Sequence, residues 1–205
     1  MADEKLDDLL LQLDDERDEA MLEWGAIFGN AHPVEIEIGI GKGRFLLDAA
    51  ERNQTINYLG IERAAKYLRI AHTRGVRWQL QNIRFARVEA REFIEFFVPR
   101  ESVLAYHIYF PDPWPKKRHH KRRLFNAEFL AEIERTLLVG GLLWLATDHQ
   151  EYFQVMEEVL ATSSCLVETE ADWPEVKTNY EDKYVAEGKI INRIAVKKEH
   201  TDSIV

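Results

Sequence analysis

The chain has 205 residues, 46% of them apolar, which suits one large domain or two small ones with a sizeable core. No run approaches the ~18 uncharged apolar residues of a membrane span, and an N-terminus acidic from Asp3 onward is unlike a secretory or transit peptide, so a cytoplasmic protein is expected. The single cysteine, Cys165, excludes an internal disulfide, and His32, His72, His107 and His149 lack metal-ligand spacing, so no metal site is expected.

Acidity is concentrated at one end. The formal net charge is −9, yet ten Asp/Glu fall in the first 23 residues against Lys5 and Arg17, leaving the rest of the chain near −1. Leu6, Leu9, Leu10, Leu13, Ala20 and Met21 recur at helical spacing, so an amphipathic helix is expected over residues 4–22, within an acidic arm covering 1–30. Two readings stand: a helix docked on the domain, or an acidic arm that competes with a polyanion for basic residues elsewhere.

From residue 31 to about 200 the pattern becomes strand-helix alternation. Val34–Ile38 reads as a strand that ends in a glycine turn (Gly39, Gly41, Gly43), with a helix over Arg44–Glu51. Strands are predicted at Tyr58–Ile61, Ile83–Val88, Leu104–Phe110 and Gly141–Ala146, with helices at Ala64–Arg74, after Glu89 through Phe97, at Ala127–Leu138 and at Glu151–Thr162. Leu166–Glu170 and Ile190–Val196 are predicted as the last strands, joined by a loop over Trp173–Gly188 and paired antiparallel at an edge. The expected fold is α/β: a mostly parallel seven-stranded sheet with helices on both faces.

In such a sheet, ligands bind beyond the carboxyl ends of the strands. Five successive ends present a carboxylate: Glu37, Glu62, Glu89, Asp112 and Asp148. The glycine turn lets backbone approach a ligand, although Gly-x-Gly-x-Gly is not the dinucleotide spacing. Glu62 suits the hydroxyls of a ribose. Excess carboxylate without a phosphate-binding Lys/Ser pattern favours a cationic, adenosine-containing ligand, and S-adenosyl-L-methionine has that polarity.

The most distinctive stretch runs Phe110-Pro-Asp-Pro-Trp-Pro-Lys116 and on to Arg123. Pro111, Pro113 and Pro115 stiffen the loop, holding Asp112 and Trp114 towards the chemistry. Between Lys116 and Arg123 lie six Lys/Arg and two His without an acid, a cluster suited to phosphates. Thr178-Asn-Tyr-Glu181 is a polar loop expected to return to the same sheet edge.

Together these motifs resemble the bacterial tRNA (guanine-N7-)-methyltransferase family. The resemblance rests on Glu37-Ile-Gly-Ile-Gly-Lys-Gly43, Gly60-Ile-Glu62, the Phe110–Arg123 stretch, Thr147-Asp148 and Thr178–Glu181. It implies a Rossmann-like class I methyltransferase domain that uses S-adenosyl-L-methionine to methylate N7 of guanosine 46 in tRNA; a monomer or homodimer is expected. Cofactor contacts are then implied for Glu37, Gly39, Gly41, Glu62, Glu89 and Asp112, with Asp112 the central catalytic residue. Substrate contacts are implied for Lys116, Asp148, Thr178, Asn179, Tyr180 and Glu181, and RNA contacts for Arg118, His119, His120, Lys121, Arg122 and Arg123. Position 89 is Glu where the family more often has Asp or Asn, and the acidic N-terminus differs from the family's common basic tails. Rival readings are an exocyclic-amine methyltransferase, a non-catalytic RNA-binding protein and, more distantly, a nicotinamide oxidoreductase.

Overall fold

In a computed structural model of the chain, residues 9–11, 21–174 and 178–200 are described. Seven strands form one sheet: β1 (Val34–Ile38), β2 (Asn57–Ile61), β3 (Ile83–Ala86), β4 (Val103–Tyr109), β5 (Leu137–Thr147), β6 (Leu166–Glu168) and β7 (Asn192–Lys198). Their order is β3-β2-β1-β4-β5-β7-β6. β1 to β5 run parallel, while β7 is antiparallel to both β5 and β6. The order reverses between β1 and β4, and the carboxyl ends of the five parallel strands lie along one edge.

Period-two side-chain alternation splits the core between two faces. Ile36, Ile38, Leu59, Ile61, Tyr106, Ile108, Leu143 and Leu145 pack on one side against α4 (Ala90–Phe97), α5 (Ala127–Thr136) and α6 (Gln150–Leu160). Tyr58, Ile83 and Phe85 face the other way, against Phe45 and Leu46 of α2 (Arg44–Arg52) and Leu68 and Ala71 of α3 (Ala65–Arg77). Each fully buried aliphatic or aromatic side chain stabilises by roughly 1.5–3 kcal/mol, so both layers are strongly committed. No helix among the described residues is long and apolar enough to cross a membrane.

The structure departs from the sequence-based expectation in four places. Leu9–Leu11 do not belong to a helix: Leu10 bridges to Phe85 of the edge strand β3, whose N–H donates to the Leu9 carbonyl at 2.8 Å, while Leu11 N–H donates to the Phe85 carbonyl at 2.7 Å. An open edge strand has unpaired backbone groups, and Leu9 also buries its side chain against Phe85 and Gly75. The rest of the helix expected over 4–22 lies outside the described residues except Met21 and Leu22, which are not helical, and a short helix α1 (Trp24–Phe28) follows. β5 starts at Leu137, directly after α5, instead of at Gly141. The last two strands do pair antiparallel, but a helix α7 (Asn179–Ala186) occupies the expected loop and β7 inserts between β5 and β6. Finally, Lys117–Arg122 form a 3-10 helix.

Candidate active site

The glycine turn after β1 is shaped by backbone geometry that only glycine adopts without strain. Gly43 caps α2 with φ +72°, and a Cβ there would lie 2.7 Å from the Ala71 Cβ. Gly41 donates its N–H to Glu62 Oε2 at 2.9 Å, and Glu62 Oε1 accepts from Ala64 N–H at 2.7 Å. Glu62 thus ties the turn after β1 to the start of α3 across the end of β2.

Glu37 lies behind this turn, buried on the α2 face of β1, with Oε2 lacking any hydrogen-bond partner. Burial pushes its carboxyl up to about 8, a backbone hydrogen bond from Leu46 pulls the other way, and the Glu62 charge adds to the rise. A buried oxygen left without a donor is costly unless a ligand supplies one. Glu89 behaves differently. Its Oε2 accepts from the Arg91 N–H at 2.9 Å and caps α4.

The Pro-Asp-Pro-Trp loop leaves β4 through a strained start. Phe110 and Trp114 have φ of 53° and 44°, values that non-glycine residues rarely hold, and Phe110 N–H donates to the Ala146 carbonyl at 2.7 Å. Asp112 is exposed at the mouth of the site. Trp114 packs within the basic segment: Arg122 stacks over its ring at 5.0 Å and His119 meets it edge-on at 5.8 Å. The indole thus props two members of the basic segment.

That segment divides in two. Lys116, Arg118, Lys121 and Arg122 are exposed, with His119 and His120 half-buried beside them. Arg123 is only 4% exposed and grips Glu151 through two bonds of 3.0 and 2.6 Å, donates to the Pro113 carbonyl at 2.8 Å and stacks on Tyr152 at 4.8 Å. Its expected contact with RNA is therefore corrected: its donors are engaged inside the protein, and it pins the loop.

Helix α7 brings the Thr178 segment back to this edge. Thr178 Oγ1 accepts from Glu181 N–H at 3.0 Å, and Asn179 is the first helical residue. Asp182 pairs with Arg44 next to the glycine turn, Glu181 pairs with Arg193 of β7, and the Tyr180 ring lies beside Gly41. Tyr180 and Tyr184 also pack against Phe110, at 6.2 and 5.4 Å. Asp148 follows β5 directly and accepts from Lys189 Nζ at 2.6 Å.

A family profile described as a putative methyltransferase matches residues 31–194. A tRNA (guanine-N(7)-)-methyltransferase of Geobacillus sp. (strain WCH70) is 38% identical over 181 residues, covering 85% of this chain and 82% of that protein. One from Lachnoclostridium phytofermentans is 34% identical, covering 86% of each, and one from Geobacter metallireducens is 45% identical over 63% of this chain and 62% of that protein.

The chain belongs to the tRNA (guanine-N7-)-methyltransferase family.

Solved structures agree on the fold: an aminoglycoside resistance methyltransferase, NpmB1, superposes with a TM-score of 0.60 at 19% identity over 92% of this chain and 95% of that one. TrmN from Thermus thermophilus gives 0.58 at 20% identity over 82% of this chain and 45% of that one.

Seen as a member of this family, the chain brings Glu37, Gly39, Gly41, Glu62, Asp112, Asp148, Tyr180 and Glu181 to one edge, with Lys116 exposed on the loop beyond Asp112. A hydrogen-bonded row on β1 and β4 was not anticipated from the sequence. His107 Nε2 meets Glu35 Oε2 at 2.9 Å, and His107 Nδ1 meets the Tyr109 hydroxyl at 2.8 Å. The i, i+2 spacing of Ala105, His107 and Tyr109 places them on one face, a signal the strand pattern did contain. Tyr109 lines a small hollow with Thr178, Glu181 and Arg193, and its phenol is pushed well above the usual range by burial, with the Glu37, Glu35 and Glu181 charges adding. A larger hollow of about 520 Å³ is lined by Glu35, Arg52, Asn53, Leu104, His107 and Gly140 among others.

Proposed function

We propose that the chain transfers the methyl group of S-adenosyl-L-methionine to N7 of a guanosine in tRNA, at position 46 of the variable loop. The observation that carries this reading is the meeting of the buried Glu37 carboxyl, whose Oε2 has no partner, the Gly39–Gly43 turn and Glu62 with the Asp112 loop and its basic ridge on one sheet edge. The residues present fit the cofactor: the buried Glu37 Oε2 lacks a donor, and a Cβ added at Gly39 would meet nothing within 4 Å. Glu37 would hold the amino end, the glycine turn would admit the backbone-proximal portion, and Glu62 would accept from ribose hydroxyls.

When bound, this cofactor supplies an electrophilic methyl on a sulfonium. The chain need not supply a base, because guanine N7 carries a free lone pair at neutral pH. Its work is to place the base, for which aligned reactants contribute roughly 7–11 kcal/mol. As N7 takes the methyl the ring becomes cationic, and the Asp112 carboxylate stabilises that charge. Asp148 accepts from the donors on the base's pairing edge, while Lys116, Arg118, Lys121 and Arg122 hold the phosphates that deliver it. Glu89, engaged in capping α4, serves the adenine only with the acceptor capacity it has left.

Labelled S-adenosyl-L-methionine incubated with unmodified tRNA transcripts tests the reading. Label should enter a transcript with guanosine at 46 and be absent from one with adenosine there; equal labelling of both would refute the position.

A further inference from the structure

Lys189 lies in a place the proposed function does not explain. Its Nζ is 2.6 Å from Asp148 Oδ2 and 3.8 Å from the centroid of the Tyr184 ring, with Glu187 Oε2 at 3.8 Å. Its backbone N–H donates to the Tyr184 carbonyl at 2.9 Å, which closes the end of α7 and aims the side chain back over the ring. Tyr184 in turn packs on Phe110 and, nearly parallel at 30°, on Tyr180. The ammonium therefore occupies a site with a carboxylate at its edge and an aromatic face beneath it.

A guanine makes the same demands. Its pairing edge offers two N–H donors to a carboxylate, its face stacks on an aromatic ring, and methylation at N7 gives the ring the positive charge that such a face attracts. The ammonium and the base compete for Asp148 and for Tyr184. The Lys189 side chain is 41% exposed and Glu187 offers a second partner, so the ammonium can leave without being stranded.

We propose that Lys189 is a displaceable plug: in the free protein it holds the Asp148–Tyr184 site, and the target guanine enters by pushing it aside and stacking on Tyr184. This rests on the reading of Asp148 as a guanosine contact. An exposed ion pair and a cation–π contact are each modest, so removing the plug should tighten guanosine binding by about three- to tenfold.

The test is equilibrium binding of an unmodified transcript without cofactor, together with steady-state methylation. Lys189→Met should lower the Kd and the KM about three- to tenfold with kcat held within about twofold. Lys189→Arg, which keeps both contacts, should behave as wild type, and Lys189→Met should have no effect in an Asp148→Ala background. Tightening should be confined to a transcript with guanosine at 46 and absent with adenosine there. Weaker binding or a lowered kcat in Lys189→Met would make Lys189 a substrate contact and overturn the plug. So would equal tightening in the Asp148→Ala background. Because binding is read without methyl transfer, wild-type protein that binds with guanosine selectivity yet methylates another atom would refute the N7 reading while leaving the plug standing.

Discussion

Arg123 and Glu151 join the start of α6 to the loop that carries Asp112, through a two-pronged ion pair whose guanidinium also caps the Pro113 carbonyl. The last cation of the basic stretch is thus a buried brace, and its neighbours form an exposed ridge. The pairing holds the Glu151 carboxyl below its usual range, chiefly through the Arg123 hydrogen bonds.

This division predicts two classes of variant. Arg123→Ala, and equally Arg123→Lys, which loses the planar fork, should lower kcat/KM by about tenfold to a hundredfold and lower the melting temperature, because the loop loses its anchor. Single alanine replacements of Arg118, Lys121 or Arg122 should leave melting unchanged, weaken tRNA binding, and reduce the salt slope by roughly 0.7–0.9 per charge removed. Calorimetry and salt-dependent filter binding separate the classes.

Glu37 makes stability and ligand binding depend on pH. Its proton leaves at about 8 in the folded protein and at the ordinary 4.5 when unfolded, so the folded form binds more protons between those values. The carboxyl's contribution to stability is full below the lower value and is lost as pH rises to the upper one. Glu37→Gln should therefore flatten the fall in melting temperature across that window. A cationic ligand favours the ionised carboxylate, so cofactor binding near neutral pH should release close to one proton in wild type and almost none in Glu37→Gln. Titration calorimetry in buffers of different ionisation enthalpy reads this directly.

Asp112 is exposed, so its loss should spare the fold. Asp112→Ala should lower kcat by about a hundredfold or more, with melting temperature and tRNA affinity close to wild type. A rate within threefold of wild type would remove Asp112 from the chemistry.

Gly43→Ala tests the glycine turn. The added methyl would meet the Ala71 Cβ at 2.7 Å from a backbone already at φ +72°, so a loss of about 1–3 kcal/mol and weaker cofactor binding are expected in denaturant and binding titrations.

Much of this was legible from residue pattern. The β-branched runs and their alternation with helices located the parallel strands, and with them the shared edge on which Glu37, Glu62, Asp112 and Asp148, the proposed contacts, stand. α7 was missed because Asn179-Tyr-Glu-Asp-Lys-Tyr-Val-Ala186 carries only the Tyr180–Tyr184 pair on one face amid charged residues; that pair meets Phe110, and ion pairs to Arg44 and Arg193 add to it, all contacts outside the segment itself. Arg123 was misplaced for a related reason. A run of like charges carries no mark showing which member turns inward, and its partner Glu151 lies 28 residues away. Leu9–Leu11 carried a helical period but met an open strand edge, and the tertiary partner prevailed.

The most direct test of the central claim is the identity of the methylated atom. After incubation of unmodified tRNA with S-adenosyl-L-methionine, mass spectrometry of the digested nucleosides, paired with borohydride reduction and aniline cleavage of the intact strand, reads both atom and position. The account predicts 7-methylguanosine and a single cleavage at position 46. A methyl on an exocyclic amine, which leaves the strand resistant to cleavage, would contradict it.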